Sequence, residues 1–154
     1  MVSPDESPRP SAQAIDELNE LMSALEDGAE ELEEAAENIN DRGLRGFLEA
    51  FAATLGDFGA ELGNAVVAMG GKPEPGEGLG LREAWIELRA ALSGDDTRAM
   101  AAEAERSVQR VLGEYEDVLE QQLTPGSREV VSRQYNEIQR MLESIRAMRE
   151  GAED

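Results

Sequence analysis

The sequence predicts an all-α protein, an antiparallel four-helix bundle, and three observations carry that prediction. First, apolar residues recur at alternating steps of three and four: Ile15, Leu18, Met22, Leu25, Ala29, Leu32, Ala36, Ile39, and again Leu44, Leu48, Phe51, Leu55, Phe58, Leu62, Ala65, Met69. Such steps return a side chain to one face of an α-helix, so each ladder is one apolar stripe. Second, two stripes of the same kind occupy the C-terminal half. Third, clusters of helix-breaking residues separate the stripes.

The elements follow in order. Residues 1–11 hold three prolines, serines and charges without periodicity, and are expected to be a disordered tail. The first helix is expected over Ala12 to Asn40, ended by Asn40-Asp41-Arg42-Gly43. The second is expected over 42–69, so close behind the first that the two must be antiparallel neighbours. Gly70-Gly71-Lys72-Pro73-Glu74-Pro75-Gly76-Glu77-Gly78 then breaks the chain, and a short helix over 80–92 places Leu81, Trp85, Leu88 and Leu92 on one face. The whole 70–95 segment is too long for a hairpin and reads as a crossover along the bundle. A third long helix spans 96–122 with Ala101, Ala104, Val108, Val111, Tyr115 and Val118 as its stripe. Leu123-Thr124-Pro125-Gly126-Ser127 breaks it, with Pro125 suited to a helix start. The fourth spans 126–149 with Val131, Gln134, Ile138, Met141, Ile145 and Met148, and residues 150–154 are expected to fray. Residues 12–149 thus form the one domain.

Composition excludes several function classes. The chain of 154 residues has no cysteine and no histidine. Disulfides, thiolate ligands and the usual nucleophile–base pairs are therefore missing. No apolar run approaches the ~20 residues of a spanning helix, and MVSPDESPRPSAQ lacks the basic and apolar regions of a signal peptide. The expected location is cytoplasmic. A net charge of −20 argues against nucleic acid and against anionic membranes, both of which call for clustered Lys and Arg. Lys72 is the single lysine among 14 basic residues. That bias fits GC-rich codon usage, or, with the acidic surface, a protein adapted to high salt that screens its self-repulsion.

The chain resembles a family of bacterial ferritin-like four-helix-bundle proteins whose biochemical role is unassigned. The resemblance rests on Asp27-Gly28 and Ala35-Ala36-Glu37, on Gly70-Gly71-Lys72-Pro73, on Trp85 and Gly94-Asp95-Asp96, on Glu105-Arg106 and Tyr115, and on Leu123-Thr124-Pro125 with Arg133-Gln134-Tyr135. It implies a ferritin-like bundle with a short extra helix in the crossover between the second and third long helices. Relatives of this type tend to carry further acids in the third long helix and a histidine in the fourth, where this chain has Val108 and Leu142.

Ferritin-like di-iron sites combine Glu with Glu-x-x-His, because residues three apart share a helix face. The nearest echoes here are Glu61-x-x-Asn64 and Glu137-x-x-Arg140, and arginine cannot coordinate a metal. No metal centre and no cofactor are therefore expected. A carboxylate-only site for Mg²⁺, Ca²⁺ or Mn²⁺ would draw on Glu61, Glu105 and Glu137, with Glu26 and Glu33 flanking the first stripe. Their depths differ by roughly 15 Å at ~1.5 Å per residue, too far for one ion.

Gln134, polar within an apolar stripe, is expected either to set register and hydrogen-bond Tyr115 or to contact a ligand. The acidic run from Glu26 to Glu34 is expected to be a solvated face, with cations or a basic partner as the sharper alternative. Ala52, Gly56, Gly59 and Gly63 form a row of small residues that admits a close neighbour, either the crossover helix with Trp85 or the same face of a second subunit in a homodimer. Gly59→Leu is expected to disrupt that contact. Gly76-x-Gly78-x-Gly80 lacks the strand and the third glycine of a dinucleotide loop. The reading is a non-enzymatic soluble bundle with a structural, stress-associated or protein-interaction role and a tendency to self-associate. The alternative is a carboxylate-only metal-binding or oxidoreductase-like relative.

Overall fold

The computed structural model describes residues 12–75 and 97–151. The expected tail 1–11, the expected short helix 80–92 with Trp85, and residues 152–154 lie outside the described residues. Four helices account for most of the rest: α1 (Ala12–Glu37), α2 (Arg42–Ala68), α3 (Thr97–Leu119) and α4 (Pro125–Gly151).

Local chemistry explains the ends. α1 stops at Glu37, short of the expected Asn40, because Asp41 caps the next helix. Its Oδ1 accepts a hydrogen bond from the Leu44 N–H at 3.0 Å, the N-cap to third-residue geometry. Just past the Met69 cap of α2, Gly70 takes φ 85°, the left-handed region open to glycine. The Gly71 N–H then donates to the Val66 carbonyl and the Gly70 N–H to the Val67 carbonyl, both at 2.9 Å, which satisfies the last turn in the Schellman arrangement. α3 ends at Leu119 rather than 122; the Arg128 guanidinium donates to the carbonyls of Leu119 at 3.1 Å and Gln121 at 2.8 Å. α4 starts on Pro125, where a missing N–H costs nothing, and Thr124 Oγ1 accepts from the Ser127 N–H at 3.2 Å. It runs on to Gly151, through the first two residues of the expected frayed end.

Each helix packs on two others: α1 on α2 and α3, α4 on α3 and α2. Glu31 meets Arg110 while Glu17 and Glu20 meet Glu114, so α1 and α3 are antiparallel. Tyr115 meets Gln134 while Glu105 meets Arg146, so α3 and α4 are antiparallel too. The chain leaves α2 beside Ile15, near the start of α1. It re-enters α3 beside Arg149 and Glu150, near the end of α4 and at the other end of the bundle. The connection from α2 to α3 therefore spans the bundle, the arrangement expected from the sequence.

The α2 and α3 stripes are buried throughout. Two corrections apply to the others. In α1 the buried face keeps Leu18, Leu25, Leu32 and Ala36 of the expected ladder, with Ile39 just past the helix end, and adds Leu21 and Ala35, while Ile15, Met22 and Ala29 are only partly covered. A helix wedged between two neighbours needs an apolar face wider than one stripe. In α4 Leu142 takes the core place and Met141 and Met148 fall to the edge, Met148 being 37% exposed.

Candidate functional site

Two polar places interrupt this apolar interior. The first joins α2, α3 and α4. Gln134 is fully buried by the stripe around it, so both ends of its amide must be satisfied inside the protein. The Tyr115 hydroxyl donates to Gln134 Oε1 at 2.7 Å, and Gln134 Nε2 donates to Glu61 Oε1 at 2.7 Å and to the Phe58 carbonyl at 3.3 Å. Arg133 completes the chain by pairing with the other oxygen of Glu61. Burial, then the Glu61 carboxylate, push the Tyr115 hydroxyl far above its ordinary range, so it stays a donor. The expected Gln134–Tyr115 bond is present, and Glu61 is drawn into it.

Glu105, 5% exposed, lies elsewhere: Arg146 Nε donates to its Oε1 at 3.1 Å, and Arg149 pairs with its Oε2. Arg146 lies twelve residues beyond Gln134 on α4, about 18 Å along the axis, so Glu61 and Glu105 do not meet. Glu137 is half-buried on α4, one turn beyond Gln134. Between these levels Val108 is 1% and Leu142 5% exposed, both in the core. With no histidine in the chain, and with Glu61 and Glu105 each paired to arginine, the interior donor set does not fit a di-iron centre of the Glu and Glu-x-x-His kind.

The second place is the seam between α1 and α3. Glu17, Glu20 and Glu114 bring carboxylate oxygens within 4.8 Å of one another. Asp117 stands close enough to act on Glu17 and Glu114. Both carboxyls titrate above the ordinary range, chiefly through burial; Glu20 is the next cause for Glu17, and Asp117 for Glu114. The seam continues into a cleft of about 360 Å³ that reaches Asp27, Glu31, Ser107 and Arg110. Glu31 is 3% exposed, with Oε2 accepting from Arg110 Nη2 at 3.1 Å and Oε1 shut from solvent without a hydrogen bond.

Glu31 corrects the expectation of a solvated acidic face. Glu26 and Glu33 are exposed, but Glu31 shares the row of Leu21, Ala24, Gly28 and Ala35 that faces α3. The second row of steps of three and four carried that signal in the sequence. The grouping of Glu17, Glu20 and Glu114 carried none, because it depends on how α1 and α3 are rotated against each other.

A carboxyl whose folded pKa is raised contributes stability below its ordinary pKa and loses it as pH rises. Replacing Glu114→Gln is therefore expected to raise the melting temperature at neutral pH by on the order of 1–3 °C. The gain should vanish below about pH 4, where the unfolded carboxyls are also protonated. A pH series of thermal melts of the two proteins checks both parts.

The row of small residues is split. Ala52 is 2% exposed, and a Cβ at Gly63 would touch Met22 Cε at 3.4 Å. A Cβ at Gly56 or Gly59 would meet nothing within 4 Å among the described residues. Both border a groove that also takes in Met22, Leu25 and Pro75.

Comparison with known proteins bears on the fold. A family model described as Domain of unknown function (DUF2383) matches residues 13–121. A crystal structure of a two-domain protein from Anabaena variabilis, containing DJ-1/ThiJ/PfpI-like and ferritin-like domains, is similar at 14% identity with a TM-score of 0.71. The match covers 98% of this chain and 44% of that one, so the chain spans less than half the length of that protein. No curated protein matches the chain.

Proposed function

Because the chain belongs to the DUF2383 family of domains of unknown function and has the ferritin-like fold, we propose that it is a non-enzymatic helical bundle with a structural, stress-associated or protein-interaction role. The observation that carries this reading is the network of Tyr115, Gln134, Glu61 and Arg133. It puts hydrogen bonds and a guanidinium around Glu61, the carboxylate nearest the bundle interior on α2. A carboxylate already charge-paired and accepting from an amide has little left to give an incoming cation. No described helix is long and apolar enough to cross a membrane, and we place the protein in the cytoplasm.

The test is to purify the full chain without chelator, assay bound metals, and follow thermal melting and oxygen consumption during Fe²⁺ titration. A ligand that binds only the folded state must raise the melting temperature. The expected result is no bound iron, no iron-dependent oxygen uptake and no shift. Stoichiometric iron with turnover would overturn it. A second reading, a carboxylate-only cation site, is supported by the proximity of Glu17, Glu20 and Glu114. Mn²⁺ and Ca²⁺ titrations of the same sample address it. Self-association through the face of Ala52, Gly56, Gly59 and Gly63 belongs to the same proposal. Sedimentation of the parent and of Gly59→Leu should then differ in oligomeric state.

A further inference from the structure

We propose that the groove between α1 and α2 is the docking surface for the chain's own crossover, with the 80–92 stretch lying along it and Trp85 over the floor that Gly56 and Gly59 leave open. This does not rest on the functional reading above, and it gives the self-associating face named there a competitor within the chain. The groove, about 340 Å³, has a largely apolar floor from Met22, Leu25 and Ala29 on α1 and Leu55, Gly56 and Gly59 on α2.

The first observation is the path of the chain as it leaves α2. It turns into this groove and is held there. A Cβ on Gly71 would meet Ile15 of α1 at 2.8 Å and Val66 of α2 at 3.1 Å. Asn19 then clasps the backbone from α1: its Nδ2 donates to the Lys72 carbonyl at 3.3 Å and its Oδ1 accepts from the Glu74 N–H at 2.9 Å. Pro73 stands 3.8 Å from where a Cβ of Gly63 would lie, and Pro75 borders the groove together with Gly59 and Ala60. Every two residues of the crossover thus advance about one helical turn toward the far end, the stride of an extended chain at ~3.3 Å per residue.

Length and pattern name the occupant. Residues 76–96 join Pro75 to Thr97 at the other end of the bundle. From Gly56 to Arg42, where α2 begins, is roughly 21 Å, and a helix over 80–92 measures roughly 20 Å, both at ~1.5 Å per residue. Leu81, Trp85, Leu88 and Leu92 share one face of that helix. So short a helix is marginal alone in water, so its apolar face needs a surface. Its charges, Arg82 and Arg89 with Glu83 and Glu87, cancel, so it lies beside Glu26 and Glu30 of the groove without net repulsion.

The glycines supply an independent observation. Glycine within a helix is costly, yet a Cβ at Gly56 or Gly59 would meet nothing within 4 Å among the described residues. A large flat side chain laid close on the α2 backbone accounts for both.

Trp85 is the single tryptophan, so the fluorescence of the full chain reads its cover directly. Emission should be blue-shifted, and acrylamide should quench it several-fold less than in the urea-unfolded chain, equally at high and low protein concentration. The double variant Gly56→Leu/Gly59→Leu fills the floor from α2 and keeps the helix. It should shift the emission to the red and raise quenching to near the unfolded level, with the circular dichroism of the helices retained. Gly113→Leu, facing the α1/α3 seam where a Cβ also meets nothing within 4 Å, should leave Trp85 as in the parent. Quenching of the parent at the unfolded level overturns the proposal, as does a glycine double variant that protects Trp85 like the parent, or a Gly113→Leu variant that exposes it equally. Protection that is lost on dilution overturns it in favour of a second copy on this face.

Discussion

Replacing Gln134→Leu is expected to destabilise the protein by about 2 kcal/mol, although it places an apolar residue in an apolar stripe. The reason is the partner left behind. The Tyr115 hydroxyl is fully buried, remains protonated and donates to Gln134 Oε1 at 2.7 Å. Without that acceptor it pays the desolvation of a hydroxyl, about 1–3 kcal/mol, only partly offset by the apolar area leucine adds. Glu61 keeps Arg133, so its carboxylate is not stranded. Tyr115→Phe alone should cost about 1 kcal/mol, because the Gln134 amide then lacks one donor but still donates to Glu61 and Phe58. The double variant should cost less than the sum of the two, with a coupling energy of about 1–2 kcal/mol. Urea denaturation of all four proteins measures the cycle. Strict additivity would show that the two side chains do not act as a unit.

A larger loss, about 3 kcal/mol, is expected for the double variant Arg146→Ala/Arg149→Ala. The two guanidiniums answer one carboxylate, Glu105, whose side chain is 7% exposed. Removing both leaves a buried charge without a counter-charge, which costs more than an intact pair gains. Either arginine alone retains part of the compensation, so each single variant should cost less than half of the double. The double variant should also acquire a pH signature. A buried carboxylate without a counter-charge is relieved when acid neutralises it, so the loss eases as pH falls. The deficit should therefore be largest at neutral pH and shrink toward about pH 4. Adding Glu105→Gln to the double variant should recover stability at neutral pH and remove that dependence. Persistence of the full deficit in the triple variant would assign the loss to the packing of the arginine stems instead.

The helices themselves were legible because the signals that make them are local. Asp41 caps α2 from three residues away, Gly70 closes it within one turn, and Pro125 opens α4 at its own position. The bond between Gln134 and Tyr115 was legible for a related reason. A lone polar residue in an apolar stripe has to find a partner, and tyrosine on the facing stripe is the nearest with a hydroxyl. Legibility faded where two rows compete for one helix. In α4, Leu142 and Met141 both continue a run of threes and fours, and contact with α3 and α2 decides that Leu142 is buried. In α1 the ladder through Ile15, Met22 and Ala29 hid the row through Leu21, Ala24 and Gly28 that meets α3.

By itself, then, the sequence determined the class of fold, the four helices with most of their caps, the lack of imidazole and thiolate ligands, and the apolar stripes of α2 and α3, Val108 included. Those features depend on residue type and on spacing within one helix. Tertiary structure alone decided which charges meet. Glu105 finds Arg146 and Arg149, Glu61 finds Arg133, and Glu17, Glu20 and Glu114 gather without a counter-ion among them in that group. Gly28 likewise lets α1 come close to α3 only in the folded bundle, where a Cβ would meet Val111 Cγ2 at 2.9 Å. The reason is geometric. A partnership across helices depends on the rotation of each about its axis and on its axial shift, and both are set by how the side chains of neighbouring helices interdigitate.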